Sequence, residues 1–171
     1  MKRVSVLLAA LVLAAGCSDS NTAPAADADR PQFVANLLPS SEVPPVTNAE
    51  SAASGAATID FNLTKDGAGA ITAATVDFRV ELSGFPSTTT ITAAHIHTGA
   101  AGVNGAVLVS AQVSSGQVPL TNGVATFSRT GLSVTAANAQ AIINNPAGFY
   151  FNVHTTLNPG GVIRGQLVKN P

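Results

Sequence analysis

The sequence predicts an all-β domain, an antiparallel Greek-key sandwich or barrel of immunoglobulin-like or superoxide-dismutase-like type, with one short helix. Three observations carry this expectation. Short runs rich in Val, Thr, Ile and Phe alternate apolar and polar residues, the period of a strand with one buried face. Clusters of Gly, Asn and Pro punctuate those runs. Only one stretch, residues 135–144, has a helical pattern.

In chain order, residues 32–38 open as a strand. Residues 42–46 read Glu-Val-Pro-Pro-Val. Two prolines remove ladder donors, so this is an extended edge or crossing segment and not a central strand. Residues 56–65 and 71–83 flank Asp66-Gly67-Ala68-Gly69 and predict a hairpin. In its second arm Val76, Phe78, Val80 and Leu82 point one way and Asp77, Arg79 and Glu81 the other. Residues 91–97 predict a strand that runs into a Gly-rich loop, 99–105. Residues 106–112 and 124–129 are two more strands. Thr135 is the expected N-cap of the helix and Pro146 its stop. Residues 149–155 and 162–168 form a last hairpin across Asn158-Pro159-Gly160-Gly161. There is no internal repeat and no second domain.

The N-terminus has a different character. Lys2 and Arg3 precede a run of Val, Leu and Ala from residue 4 to 15, broken by Ser5. That is the length of a signal-peptide core and too short to span a bilayer. It ends in Leu13-Ala14-Ala15-Gly16-Cys17, the small residues before a cysteine that a lipoprotein signal peptidase reads. The expectation is a lipoprotein signal peptide over residues 1–16, with Cys17 diacylated (palmitate among its acyl chains). The protein is then exported and lipid-anchored to a bacterial cell envelope, on the periplasmic or outer-surface side. The alternative is plain secretion with a free Cys17. Residues 18–30, rich in Ser, Asp, Asn, Thr, Ala and Pro, read as a disordered tether, so that 17–31 is a lipidated linker. Cys17 is the one cysteine of the chain, so no intrachain disulfide is possible.

After removal of the signal, six basic and nine acidic residues remain, a net charge of −3. Charged residues make up 10% of the chain, which leaves no basic footprint for nucleic acid or for anionic lipid. The 99–105 loop lacks a following Lys-Ser or Lys-Thr and lies between strands, so it is not a phosphate cradle. No serine sits in a nucleophile elbow. Asp60, Asp77 and Glu81 do not single out an acid and a base.

The ordered set Glu42-Val43-Pro44-Pro45, Ala94-His95-Ile96-His97-Thr98-Gly99 with Gly102 and Gly105, Tyr150-Phe151-Asn152-Val153-His154-Thr155, Asn158-Pro159-Gly160-Gly161 and Ile163-Arg164-Gly165-Gln166-Leu167 resembles the CHRD domain, the family named for chordin. The resemblance covers residues 32–170, the whole β domain. It departs from the family at Val162, where Glu is usual, and at Phe151, where Val is common. It implies an extracellular all-β module and does not fix a biochemical activity. The expected role is a non-enzymatic binding or scaffold module.

The three histidines are the one constellation with chemistry. His95 and His97 share a strand face, with Ala94 and Ile96 on the other. His154 shares a face with Asn152 and Tyr150, opposite Phe149, Phe151 and Val153. A His-x-His pair and a third imidazole suit copper or zinc. No methionine follows the signal and Cys17 is lipidated, so the ion is Cu(II) or Zn(II) and not Cu(I), with redox chemistry available at copper. Three histidines are too few for superoxide dismutation. One shared ion requires nitrogens converging within about 4 Å of one another, and more than about 8 Å excludes it. The competing reading is structural: the imidazoles bond loop carbonyls and pin the 99–105 loop. Arg164, the second supporting polar residue with Asn152, is expected either to bind an anionic ligand or to pair with a carboxylate such as Glu42, Glu81 or Asp77 while satisfying turn carbonyls.

Overall fold

The computed structural model describes residues 27–170. Among these residues nine strands form two antiparallel sheets. In chain order they are β1 (Gln32–Leu37), β2 (Ser54–Lys65), β3 (Ile71–Ser83), β4 (Ile91–Thr98), β5 (Val107–Ser110), β6 (Ala125–Val134), β7 (Phe149–Thr155), β8 (Ile163–Gln166) and β9 (Val168–Lys169). One sheet has the order β6-β3-β2-β1-β9 and the other β5-β4-β7-β8. The signal-peptide and Cys17 expectations lie outside the described residues, as does most of the tether.

The expected β sandwich is present. Period-two patterning sets each register, because a slip by one residue would turn every apolar side chain to water. In β3, Val76, Phe78, Val80 and Leu82 are buried while Arg79 and Glu81 are exposed. Phe78 meets Phe151 of the facing sheet at 5.6 Å between ring centroids, inside one core that also takes Phe33, Ile59, Phe61, Ile96 and Ile163. The β2–β3 turn closes as expected. Asp66 Oδ1 accepts from the amides of Ala68 and Ala70.

The helix α1 (Ala136–Asn144) is capped by Thr135, whose hydroxyl accepts from the Asn138 amide at 3.1 Å. Pro146 opens a short 3-10 turn after it. Ala139 and Ile142 are its buried contacts with the sandwich.

Several boundaries differ from expectation, each for a local reason. β6 runs on to Val134, five residues past the expected end. A bulge at Gly131, whose amide donates to Asp77 Oδ1 at 2.6 Å, carries the strand through an interruption that hides its period. β5 is shorter than residues 106–112. The segment 162–168 is not one strand. It pairs with β7 as β8, then crosses at the buried Leu167 to the other sheet as β9 beside β1. Asp27–Arg30, assigned by composition to the tether, form a turn docked on β2. Arg30 N donates to Asp27 O, Leu63 N to Asp29 O, and Lys65 pairs with Asp29 at 2.7 Å. Residues 27–30 are thus packed against the β domain.

The sheets also touch at one corner. Leu38 and Arg164 exchange both backbone bonds, at 3.0 and 3.2 Å, which ties the end of β1 to β8. Gly165 makes this possible, since a Cβ there would collide with the backbone carbonyl of Asn36. The two strands thus hold the outward face of the four-stranded sheet at a fixed distance from the segment that follows β1.

Candidate metal centre

The outward face of the β5-β4-β7-β8 sheet carries His95 and His97 from β4, Tyr150, Asn152 and His154 from β7, and Arg164 and Gln166 from β8. His95 lies opposite Asn152, His97 opposite Tyr150, and Asn152 opposite Arg164. Such a polar face would ordinarily be wet. Here Tyr150, Asn152, His97, His154 and Arg164 are all buried, and β7 is buried on both faces. Three covers do this: the 99–105 loop, the crossing segment around Glu42, and the turn between β7 and β8.

Arg164 is the largest fully buried side chain, 1% exposed. It donates to Ala100 O and Val103 O at 2.9 Å each, to Asn104 Oδ1 at 3.2 Å and to Gln166 Oε1 at 3.2 Å. Its guanidinium lies 3.4 Å from the centroid of the Tyr150 ring. A planar fork with five donors suits this set of carbonyls. The turn-carbonyl half of the structural expectation holds. The carboxylate half does not: Glu81 pairs with Arg79 at 2.9 Å, and Asp77 accepts from Asn62 and Gly131. Glu42 feels the Arg164 charge without an ion-pair contact.

The histidines converge. One ring nitrogen from each lies within 4.8 Å of the others, and His95 Nδ1 is 3.1 Å from His154 Nε2. Ions bonded at about 2.0–2.1 Å span nitrogen pairs up to about 4 Å apart, so the widest pair must close by less than 1 Å. The convergence occurs together with the structural use. His97 Nδ1 bonds Gly105 O at 3.0 Å and His154 Nδ1 bonds Pro159 O at 2.9 Å. A carbonyl can only accept, so each Nδ1 carries the proton and each Nε2 keeps its lone pair. Loop pinning therefore fixes the tautomer that a metal needs. His97 also stacks on Tyr150, 4.9 Å between centroids and 8° between planes.

Burial disfavours the cationic imidazole at all three sites. It lowers His95 to about 4, helped by repulsion from His154 and His97, and it lowers His97 and His154 as well. At neutral pH each ring is neutral, with one N–H and one lone pair. His154 Nε2 accepts from His95 Nδ1, so His95 would give up that bond to turn a lone pair toward an ion.

Sequence reasoning did not foresee the burial of two carboxyls. Glu50 is 1% exposed and accepts from Thr89 Oγ1, Thr155 Oγ1 and Asn158 Nδ2, at 2.7, 2.6 and 2.5 Å. It fixes the turn whose Pro159 holds His154. Glu42 is buried without such bonds, and desolvation raises it to about 7 against the opposing pull of Arg164 and Asn152. The signal for Glu42 was its place beside two prolines in the crossing segment. Nothing in the residues around Glu50 marks it.

A profile of the CHRD domain matches residues 33–167. The chain belongs to the CHRD domain family. A search of the curated proteins finds no relative. The CHRD match spans the sandwich from β1 to Leu167 and contains every residue of the polar layer. Val162, the position where the family usually has Glu, is fully buried and apolar here, packed into the core instead of the polar layer.

Two predictions follow from this layer. Arg164→Lys keeps the charge but loses the fork and the flat stacking surface. It should lower stability by about 2 kcal/mol or more, read by urea denaturation; a loss under about 0.5 kcal/mol would contradict the role given to the guanidinium. The second concerns pH in the metal-free protein. Below about 6.5, the unfolded chain binds protons on three imidazoles that the folded chain keeps neutral, so stability falls as pH drops toward 4. Glu42 acts in the opposite sense: raised from 4.5 to about 7, it holds a proton the unfolded chain has lost, and that stabilisation disappears as pH rises through 7. The melting temperature should peak near pH 6.5, and Glu42→Gln should abolish the decline above it. A wild-type profile still rising at pH 8 would refute the Glu42 part.

Proposed function

We propose that this CHRD protein is a non-enzymatic, lipid-anchored binding module of a bacterial cell envelope, whose ligand is one Cu(II) or Zn(II) ion held by His95, His97 and His154. The observation that carries the metal reading is the state of His97. Its Nδ1 is committed to Gly105, while its Nε2 is buried and has no hydrogen-bond partner among the described residues. A buried imidazole lone pair facing two other imidazoles lacks the partner that buried polar atoms normally have. A divalent ion satisfies it, and all-nitrogen donors suit borderline copper(II) and zinc(II). A metal-free scaffold is the second reading. It is favoured by the same Nδ1 bonds, which pin two loops without needing an ion, and by the 4.8 Å limit on the nitrogen spacing.

Anchoring is supported by the residue pattern ending at Cys17 and by the low charge of the chain, which leaves lipid as the means of attachment. No helix among the described residues is long and apolar enough to cross a membrane.

The chain has one tyrosine and no tryptophan, so Tyr150 is its fluorescent reporter, and it stacks on His97. Titrating the purified protein with Cu(II) should quench that emission at one equivalent, with a Kd well below about 10 μM, about −7 kcal/mol. Zn(II) should compete, and His97→Ala should abolish the quenching. Binding no tighter than tens of micromolar, or an unchanged His97→Ala curve, would leave the scaffold reading in place. For the anchor, wild-type protein made in a bacterial host should partition into detergent and incorporate labelled palmitate, and Cys17→Ser should do neither. Equal labelling of both would refute lipidation at Cys17.

A further inference from the structure

Three buried side-chain atoms are without hydrogen-bond partners among the described residues: His97 Nε2, Asn152 Oδ1 and Glu42 Oε1. They belong to one neighbourhood. Asn152 projects from β7 between Tyr150 and His154, directly opposite His95, so it is the floor of the histidine triangle. Its amide lies beside the His97 ring on one side and the Glu42 carboxyl on the other. Gly161 locks that side: a Cβ there would stand 2.6 Å from both Asn152 Nδ2 and Glu42 Oε1. The glycine, at φ +133°, lets the backbone press the carboxyl against the amide.

All three orphan atoms have a lone pair to give. With its Nδ1 proton on Gly105, His97 Nε2 cannot donate to Asn152 Oδ1, and Glu42 in its ionised form cannot either. An ion alone would satisfy His97 and leave two oxygens wanting donors. A small ligand on that ion with two hydrogens satisfies both at once. An anion in the same place would meet these lone pairs and the Glu42 charge, while the donors of the nearby Arg164 are already taken by loop carbonyls.

Resting on the three-histidine reading, we propose that the bound ion carries a fourth, exchangeable ligand on the Asn152 side. That ligand is a small hydrogen-bond donor, water in the resting protein. Asn152 Oδ1 and Glu42 Oε1 accept its two hydrogens and so select donors over anions. Glu42 and Asn152 are specificity-determining residues of the ion's open position. Tyr150 and Arg164 shape the wall behind them.

The test uses Cu(II)-loaded full-length protein at pH 8. Pulsed electron paramagnetic resonance in D2O should detect exchangeable deuterons of a copper-bound water in the wild type, which requires no variant to fold. Azide, titrated by its charge-transfer band, should bind weakly to wild type. Glu42→Gln, which replaces an acceptor-only oxygen pair with an amide that can donate, should bind azide about tenfold or more tightly. Asn152→Ala should weaken the water signal. Wild-type copper without exchangeable deuterons, or Glu42→Gln azide affinity within about twofold of wild type, overturns the proposal while leaving three-histidine binding intact. Copper binding that survives His97→Ala overturns that reading and this proposal with it.

Discussion

A guanidinium that cannot lose its charge is buried in a sheet face, and the rest of the outer half of this domain is organised to accommodate it. Arg164 must find acceptors for its donors or cost several kcal/mol. The fold supplies them as loop carbonyls instead of a carboxylate. Ala100, Val103 and Asn104 are brought to it, and with them comes the whole 99–105 loop. Because β7 lies between β4 and β8, Tyr150 is stacked by Arg164 from one side and by His97 from the other. The arginine thus sets the ring that sets the histidine. Its own backbone closes the corner with Leu38, so the crossing segment that carries Glu42 starts from a fixed point.

The sandwich consequently has two interiors. The inner one is apolar and contains the aromatic and branched side chains that alternation selects. The outer one is polar and holds imidazole, amide, guanidinium and carboxyl groups under three covers. β7 serves both, with Phe149, Phe151 and Val153 turned inward and Tyr150, Asn152 and His154 outward. A strand buried on both faces is the most constrained position in a sheet. Groups placed there keep their geometry with little reorganisation, which is the condition for a site to be preorganised.

Much of this was legible in the sequence because period two is a strong constraint. The face shared by His95 and His97, the face shared by Asn152 and His154, and the Thr135 cap all follow from spacing alone. What was not legible depends on long-range approach. β8 and β9 read as one strand because Leu167 does not interrupt the apolar pattern, although the chain changes sheets there. β6 read as ending at residue 129, because a bulge supported by a side chain from another strand leaves no local mark. Glu42 stood out only as one of three candidate partners for Arg164, and Glu50 not at all. Their burial comes from loops folding over a sheet face, which neither propensity nor period encodes. The same reason explains why Arg164 was assigned a carboxylate partner: composition supplies candidate carboxylates, but only the loop path supplies the carbonyls.

The polar layer is also where local rules of stability are broken. An unpartnered buried acceptor costs about 1–3 kcal/mol, and this layer holds three side by side. An apolar residue of similar shape at Asn152 would remove one of them, yet the position is an amide whose neighbours on both sides are acceptors. Gly161, which cannot carry a side chain without striking Glu42 and Asn152, lets the two side chains stay pressed together. Meanwhile every other buried polar group around it is satisfied: Glu50 by three donors, Arg164 by four acceptors, His154 by Pro159. A scaffold that served only to pin loops would have no reason to concentrate its unmet lone pairs at one point while meeting all the others. Departures of this kind concentrate where a protein binds something. On the proposed reading, the unmet atoms define the ligand: an electron-pair acceptor at His97 and a hydrogen donor at Asn152 and Glu42.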